Sequence, residues 1–339
     1  MRDDLGITTK LENGKAYLEF ALPEKIGRLL SALQIEIWEG AEGERLVFHG
    51  EYSSEEADSM TALLLRPHLW DGMRDPYVYL VKAQGRFGTM EYGEKMGGME
   101  KEEESDPAED ITEAVEVYWQ QELAIYDVHV IDKKGIFLNE KEFLPHEVVY
   151  RLPPQISDAG TRVEQVRRDL ERLVRMGVNV IRLEGTGTGA EGVNCSEVRT
   201  FYSLCRKRGF LTGDLWIRPE KLPVYRGLPG ETTCQALLAA DGRTLTERYY
   251  YYQAKWSSEP VLYPVLSTLH RQENGLLSLT IYSNQKKVVL YVDGVLFLFQ
   301  SAASGDPEFI FEDIPVAKLP LHLAAEAGNL SISLTVTKL

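Results

Sequence analysis

The sequence predicts a protein of mixed β and α/β class: a β-sandwich, then a short parallel βα segment, then a second β-sandwich. Three observations predict this order. Apolar and polar residues alternate in short runs up to residue 131, a helical period with a continuous apolar strand occupies 132–248, and alternation returns over 249–339. A chain of 339 residues, 44% of them hydrophobic, is long enough for two or three domains.

The first segment consists of short alternating runs separated by glycine or proline. These predicted strands cover residues 16–20, 33–38, 61–65, 77–81, 115–119 and 123–130. Alternation of this kind indicates an antiparallel sandwich with solvated outer faces. A run rich in Glu and Asp over residues 90–112 interrupts them and predicts a mobile, solvated hairpin tip, with a docking or cation site as the alternative.

The middle segment changes to a helical period. Over residues 161–174 the apolar residues fall on one stripe of an amphipathic helix, and Gly177 is placed to end it. The elements that follow are a strand at 178–183, a helix at 196–208 and a strand at 210–216. This succession predicts parallel βα units. Residues 217–240 are rich in Pro and Gly and predict irregular chain. The segment therefore has no room for four or five further βα units.

The last segment alternates again. Its predicted strands cover residues 277–284, 288–292 and 330–336, and Asp293-Gly294 suits a tight hairpin turn. Before them stand four consecutive tyrosines, Tyr249 to Tyr252, and Trp256. This cluster could be a sugar-stacking platform or simple packing. In a strand or connector the tyrosines would point both ways, so at most half could line one surface.

Two phrases carry a resemblance to a known family. The first is GIFLNEK from Gly135, followed by GVNVIR from Gly177, and the second is DGR from Asp241, followed by YYYYQAKWS from Tyr249. They resemble the start of the catalytic barrel, and the region just beyond its end, in family 2 glycoside hydrolases, the β-galactosidase and β-glucuronidase group. The resemblance implies an immunoglobulin-like sandwich over 1–131, a truncated (β/α)8 barrel over 132–248 and a C-terminal sandwich over 249–339. It also implies that the leading jelly roll and most of the barrel are lacking.

The same resemblance bears on catalysis. In this family the two catalytic glutamates lie at the ends of the fourth and seventh barrel strands, and a retaining enzyme holds its two carboxyl groups about 5 Å apart. Too few residues are present to supply those strands. The resemblance therefore implies a non-catalytic pseudo-glycosidase that binds a carbohydrate, a partner protein or another copy of itself. The alternative is an active β-glycosidase whose site is rebuilt between subunits.

Four residues are candidates for substrate binding. Asn179 and Arg182 match the family's second-strand motif, whose arginine faces the sugar pocket. His146 and Trp216 lie close to the ends of neighbouring predicted strands. For His146 the competing interpretation is a hydrogen-bonded structural histidine, because general-base work also needs an orienting partner.

No catalytic residue follows from the sequence, but two carboxylates are the ones to test. Glu184 and Asp214, together with Glu147, are expected near the carboxyl ends of the parallel strands, where such sheets place their ligands. The competing interpretation pairs Glu184 with Arg182 or Arg151 in an ordinary ion pair, or leaves it facing solvent.

A second alternative is nucleotide binding. A G-x-G-x-x-G pattern runs from Gly187 to Gly192, and Asp214 follows about 22 residues later, as in a dinucleotide fingerprint. The charged preceding strand, with Arg182 and Glu184, instead favours a shortened barrel loop.

Composition excludes several classes of partner. The chain has 37 Lys and Arg against 52 Asp and Glu, a net charge of −15, which disfavours nucleic acid and anionic membranes. No apolar run approaches the ~20 residues of a membrane span, and the first residues do not resemble a signal peptide, so we expect a cytoplasmic protein. Cys195, Cys205 and Cys234 have no metal-binding spacing, and we expect no metal and no cofactor.

An incomplete barrel also predicts self-association. Three parallel strands without closure leave an open edge and an apolar inner face, which must be covered by residues 217–240, by a sandwich or by another subunit. We expect a homodimer. A light-scattering mass near the 38.4 kDa of one chain would contradict this.

Overall fold

The computed structural model describes residues 5–23, 30–87, 115–152, 159–184, 195–212, 224, 236–239, 241–303 and 305–338. The chain divides into two compact units, Met1–Phe143 and Leu144–Leu339. As predicted, it is rich in strands gathered into several sheets. The acidic run over 90–112 lies outside the described residues. No helix in the described part is long and apolar enough to cross a membrane.

The first unit is built around two antiparallel sheets. Their strands are β1 (Gly6–Glu12), β2 (Lys15–Ala21), β3 (Leu30–Glu39), β4 (Arg45–Ser53), β5 (Thr61–Leu65), β6 (Tyr79–Phe87) and β7 (Val115–Leu123). One sheet has the order β1-β2-β5 and the other β4-β3-β6-β7. Alternate residues such as Leu18 on β2 and Ile35 on β3 share one buried core. The alternation read from the sequence therefore marks the faces that meet in a sandwich.

A small antiparallel sheet completes this unit. Its strands are β8 (Val128–Ile131), β9 (Gly135–Leu138) and β10 (Lys141–Phe143), in the order β10-β9-β8. The prediction of a single strand over 123–130 is wrong, because residues 124–127 separate β7 from β8 and belong to neither strand. There the carbonyl of Ile125 accepts from Trp70 N (2.9 Å), and Asp127 N donates to Asn139 Oδ1 (3.0 Å). These backbone groups are used in local contacts instead of a ladder.

The second unit begins with a parallel layer. Its elements are β11 (Glu147–Tyr150), α1 (Ala159–Met176), β12 (Val180–Leu183), α2 (Cys195–Lys207) and β13 (Leu211–Thr212). The described strands pair in parallel in the order β11-β12-β13. Val148 and Ile181 face the helices and share a buried core with Leu170 and Phe201. The predicted βα succession is confirmed, since the helical stripe supplies the apolar side chains that cover this face.

Gly177 ends helix α1, as predicted. Its N–H donates to Val174 O (2.9 Å), and Val178 N donates to Leu173 O (3.0 Å), the two bonds of a Schellman cap. Its φ is +88°. A Cβ on this residue would lie 2.6 Å from the carbonyl carbon and oxygen of Trp256. Both the turn and the close approach of two backbones therefore require glycine.

The outer edge of β11 is covered within the chain. Val224 N donates to Val149 O (2.9 Å), and Leu238 N donates in turn to Val224 O (2.9 Å). On the face away from the helices, Val149, Val180 and Leu211 are buried. Of the three alternatives for covering an open edge, residues 217–240 supply the cover of this one at Val224. The homodimer stays a prediction, and it must rest on a surface other than this edge.

A second sandwich follows in the same unit. Its strands are β14 (Leu262–Arg271), β15 (Leu277–Ser283), β16 (Lys287–Val292), β17 (Val295–Ser301), β18 (Glu308–Ile314), β19 (Leu321–Ala327) and β20 (Leu330–Val336). The sheets β14-β15-β18 and β17-β16-β19-β20 share one core. Asp293 and Gly294, with φ of 47° and 79°, form the predicted tight turn between β16 and β17.

The tyrosine run is helical, which corrects the strand or connector expected for it. Tyr249 to Tyr252 lie in α3 (Glu247–Trp256). Thr246 caps this helix, and its side chain accepts from Tyr249 N. Tyrosine favours strands on propensity alone, whereas the capping threonine and the acidic Glu247 behind it are the local signals of a helix start.

We expect Tyr249 to make the protein sensitive to alkali. Burial raises the pKa of this phenol to about 12, while an exposed tyrosine has a pKa of about 10. The unfolded chain therefore loses this proton first, and stability falls between about pH 10 and pH 12. The Tyr249→Phe variant should lose stability less steeply over that interval, as followed by urea midpoints. Tyr282, whose pKa burial also raises to about 12, should retain part of the slope. Identical slopes for both proteins would contradict this assignment.

Candidate functional site

The candidate residues lie at opposite edges of the parallel sheet. β11 and β12 run side by side, so His146 and Asn179 directly precede the two strands, while Arg151 and Glu184 directly follow them. At about 3.3 Å per residue, the five steps from Asn179 to Glu184 span roughly 16 Å. The sheet therefore does not bring all the predicted residues into one pocket.

The side chain of Asn179 hydrogen-bonds to the segment that leads into β11, at the amino ends of the parallel strands. Its Nδ2 donates to Leu144 O (2.8 Å), and its Oδ1 accepts from His146 N (2.7 Å). One side-chain amide thus satisfies two backbone groups on the segment that leads into β11. These groups precede the strand and do not take part in its pairing with β12. These two hydrogen bonds give a structural reason for the asparagine in the GVNVIR phrase that does not require a bound ligand. Its predicted role in substrate binding stays a prediction.

The ring of His146 is held from two sides. Its Nδ1 lies 2.8 Å from Gly177 O, and because a carbonyl oxygen only accepts, Nδ1 carries the proton. The ring stacks on Trp256, with centroids 5.0 Å apart and planes within 5°. His146 therefore links the entry to β11 with the end of α1 and the end of α3. This geometry favours the structural interpretation of this histidine, while a role in substrate binding stays a prediction.

Arg182 points to the sheet face away from the helices. Its Nε lies 3.5 Å from Glu147 Oε1, and the two side chains are 26% and 9% exposed. Glu147 is the first residue of β11, so the expectation that it lies near a carboxyl end is wrong. The strand is only four residues long, so an error of three or four residues in its predicted position moves a side chain from one end of the strand to the other. Arg182 and Glu147 form a largely buried ion pair next to Val149 and Val180.

Glu184 is engaged by arginine at the carboxyl edge. Its Oε2 accepts from Arg151 Nε (3.1 Å) and lies 2.9 Å from Arg151 Nη2. The backbone continues the ladder there, since Glu184 N donates to Tyr150 O (2.9 Å). The ion pair between Glu184 and Arg151, which the sequence offered as an alternative to catalysis, is confirmed. Two donors from one guanidinium fix the direction of this carboxylate.

Several predicted residues cannot be placed. Asp214, Trp216 and the glycine pattern from Gly187 to Gly192 lie outside the described residues. Neither the second candidate carboxylate nor the nucleotide alternative is therefore tested by the structure.

A buried carboxylate that the sequence did not single out lies on α1. Asp169 is fully buried and accepts from Tyr150 Oη (2.9 Å) and Gln165 Nε2 (3.1 Å). Arg172 Nη1 lies 3.4 Å from its Oδ1 and also donates to Gly242 O (3.0 Å). A signal for it exists in the sequence, because Asp169 sits three residues after Val166 and four before Leu173, within the apolar stripe.

The DGR phrase forms the turn that receives this arginine. Asp241 Oδ1 accepts from the N–H groups of Arg243 (2.8 Å) and Thr244 (2.9 Å), and its Oδ2 accepts from Thr244 Oγ1 (2.6 Å). The Thr244 hydroxyl and these N–H groups lower the pKa of Asp241 to about 2. The turn presents Gly242 O to Arg172 of α1. The GVNVIR and DGR phrases thus both supply structural contacts within the second unit.

The tyrosines of α3 pack against the second sandwich. Tyr250 stacks on Tyr263 of β14, with ring centroids 3.7 Å apart, and Tyr251 meets the edge of Tyr282 of β15 at 5.4 Å. Tyr249 is buried towards α1, where its hydroxyl donates to Arg172 O (2.9 Å). The expected seam between the βα segment and the C-terminal sandwich is therefore confirmed. These contacts support packing as the role of the cluster.

No protein-family model matches this sequence, and neither does any curated protein. The structure is similar to that of the FMN-binding β-glucuronidase from Facaelibacterium prausnitzii L2-6, with a TM-score of 0.65 and 15% identity, covering 99% of this chain and 74% of that one. It is also similar to β-glucuronidase 2 of Bacteroides uniformis, with a TM-score of 0.61 and 13% identity, covering 99% of this chain and 61% of that one.

A glycosyl hydrolase family 2 member from Bacteroides cellulosilyticus has a TM-score of 0.61 and 12% identity, with 98% of this chain and 63% of that one covered. The chain thus spans less than two thirds of two of these three proteins. At such identities the likeness establishes the fold, which is a property separate from activity. The resemblance to family 2 glycoside hydrolases seen in the sequence is confirmed at that level.

Proposed function

We propose that this protein is a non-hydrolytic relative of family 2 glycoside hydrolases, a pseudo-glycosidase that acts by binding. One observation carries the proposal. The third parallel strand, β13, ends at Thr212, and Val224 already lies hydrogen-bonded to Val149 on the outer edge of β11. Only the 224 − 212 − 1 = 11 residues from 213 to 223 lie between the third strand and this contact with the first.

Eleven residues cannot hold the strands on which hydrolysis depends in this family. A βαβ unit takes about 30 residues, and a closed barrel has eight strands with the last beside the first. Val224 occupies the position next to β11 that a closed barrel gives to its last strand. On this proposal the parallel layer is a shortened barrel, and among the described residues the fourth and seventh strands, the carriers of the family's catalytic glutamates, have no counterpart.

The two described candidate carboxylates, Glu184 and Glu147, do not form a replacement pair. Glu184 is held by Arg151 at the carboxyl edge, and Glu147 lies by Arg182 at the amino end of its strand. A retaining glycosidase needs two carboxyl groups about 5 Å apart, one of them able to give a proton. Each of these two carboxylates instead faces a guanidinium. The ligand class that the fold favours is a carbohydrate, and β-glucuronides are the first to test because two of the similar proteins are β-glucuronidases.

We expect no hydrolysis of aryl β-glucuronides, β-galactosides or β-glucosides by the full chain at high concentration. The parent protein and the Glu184→Gln variant should both match a protein-free blank, since an acid and a nucleophile are each needed for turnover. Release of the aryl alcohol is followed by absorbance. Asp214→Asn is the second variant to compare. Turnover in the parent that either substitution abolishes would contradict the proposal and establish an active site, rebuilt in this chain or between subunits.

A further inference from the structure

The outer face of the sheet β4-β3-β6-β7 contains a depression of about 490 Å³, which we call the Ala32 pocket. Its floor includes Ala32 of β3, which lies between Ser53 of β4 and Arg86 of β6 in the strand register. The other long polar side chains that line it are Gln34, Glu51, Glu56, Gln84 and Glu116. The pocket therefore exists because a small side chain is surrounded by long ones.

A β-bulge in β3 widens the floor of this pocket. Leu30 pairs with Phe87 and Ala32 pairs with Arg86, so Ser31 is an extra residue without a partner on β6. Ser31 and Ala32 are consecutive, yet both are exposed and both line the pocket. Bulges of this kind re-aim side chains and are frequent beside functional sites. Two small side chains thus lie together where a regular strand would turn one of them into the core.

The rim of the pocket beside β7 is held by hydrogen bonds between side chains. Glu116 Oε2 accepts from Tyr118 Oη (2.6 Å) and from Gln84 Nε2 (3.3 Å). Gln84 Nε2 also donates to Tyr118 Oη (3.0 Å), and Glu116 Oε1 lies 3.5 Å from Arg86 Nη2. The Tyr118 hydroxyl holds the pKa of Glu116 below its usual range, so this carboxylate is ionised at neutral pH. Because these four side chains restrain one another, less freedom is lost when a ligand binds.

Tyr118 presents an aromatic face at this rim. The residue is 66% exposed although its hydroxyl is hydrogen-bonded. An exposed ring of this kind can stack on the apolar face of a pyranose, whose hydroxyl groups both donate and accept hydrogen bonds. The pocket offers both kinds of partner, since Gln34 and Gln84 carry amide donors and the glutamates carry acceptors. Among the described lining side chains three carboxylates face one guanidinium, which disfavours an anionic ligand.

We propose that the Ala32 pocket and the Tyr118 ring form a binding site for a neutral saccharide. The proposal rests on the carbohydrate-binding role proposed above and assigns that role a surface and a ligand class, an uncharged hexopyranose unit of a glycan. The volume lies within the range of small-ligand sites, about 300–1,000 Å³. A sheet face covers only one side of a sugar ring. We therefore expect weak binding, with a dissociation constant on the order of 1 mM.

Isothermal titration calorimetry of the full chain tests this with tetrasaccharides of β-linked glucose, galactose and mannose, and with methyl β-D-glucuronide as the anionic comparison. Tyr118→Ala removes the stacking ring, and Ala32→Tyr fills the pocket without removing a polar group. Each should weaken binding of the neutral sugar by at least about tenfold. Tyr17→Ala and Thr8→Tyr are the matched controls, because both residues are exposed on the sheet β1-β2-β5, and they should bind as the parent does. Circular dichroism establishes that each variant is folded.

Four results would overturn the proposal. They are the absence of binding to every neutral tetrasaccharide, unchanged binding in either folded pocket variant, an equal loss in the control variants, and glucuronide binding as tight as that of the neutral sugars. If Ala32→Tyr does not fold, Tyr118→Ala decides. Binding that survives both pocket variants places the site elsewhere and leaves the proposed function intact. Turnover in the hydrolysis assay contradicts the proposed function without bearing on this pocket.

Discussion

Replacement of Gly177 by alanine should lower the free energy of unfolding by about 3 kcal/mol, one of the two largest effects expected in this protein. A left-handed conformation costs a residue with a Cβ about 1–2 kcal/mol. Gly177 has a φ of +88°, and its new Cβ would also lie 2.6 Å from the backbone carbonyl of Trp256, which cannot rotate away. Forcing backbones apart in a packed region adds about 1–3 kcal/mol. Urea denaturation followed by circular dichroism measures the loss.

Gly294→Ala is the matched control for this substitution. Gly294 has a φ of +79° and lies in the same unit, but a Cβ there would meet nothing within 4 Å. It should cost only the conformational part, about 1–2 kcal/mol. The difference between the two variants isolates the close approach of Gly177 to Trp256. Equal losses would show that this approach relaxes without cost.

Replacement of Asp169 by alanine should cost a similar amount, about 3–4 kcal/mol. The substitution leaves Arg172 without a carboxylate at 3.4 Å and removes the acceptor of the Tyr150 hydroxyl inside the core of the second unit. Removing one member of a buried charged pair is expensive because the remaining polar groups lose their compensation. The resulting change is read as a shift in the urea midpoint.

A double-mutant cycle with Tyr150→Phe tests whether the network acts as described. Tyr150→Phe alone removes one hydroxyl donor and should cost about 1 kcal/mol. In the Asp169→Ala background the same change should cost little, because its acceptor is already gone. Additive losses would mean that Tyr150 and Asp169 contribute separately. Glu171→Ala, on the exposed side of the same helix, should change stability by less than about 0.5 kcal/mol.

The sequence predicted helices α1 and α2 and most sandwich strands because burial there follows a period. α1 and α2 fall within two residues of the predicted segments, since their apolar stripes repeat along several turns. The secondary structure of Tyr249 to Tyr252 was mispredicted, because tyrosine favours strands by residue type. The helix there is instead stabilised at its start by the capping contact from Thr246. Propensity is a weaker determinant than a cap combined with packing on a neighbouring sheet.

The site was harder to predict than the fold. A family phrase suggested Asn179 as a pocket residue, and a position near a predicted strand end suggested His146. Neither signal showed that both residues precede their strands, where they bind backbone groups. Four-residue strands make such errors easy, as Glu147 illustrates. The contact of Val224 with the outer edge of β11 could not be predicted from the sequence. It consists of one hydrogen bond on each side of a single residue, and such a contact imposes no periodicity on the surrounding residues.

The stacking of His146 on Trp256 has a consequence for synthesis of the protein on the ribosome. The two residues are 256 − 146 = 110 positions apart, yet they close the same corner of the second unit. The parallel layer is translated first and must wait for α3 to leave the exit tunnel before His146 acquires its partner. Domains generally fold as units during translation, at about 5–20 residues per second. For several seconds, therefore, the nascent chain carries β11 and α1 without their final support, and this is the interval in which chaperones would have most to bind.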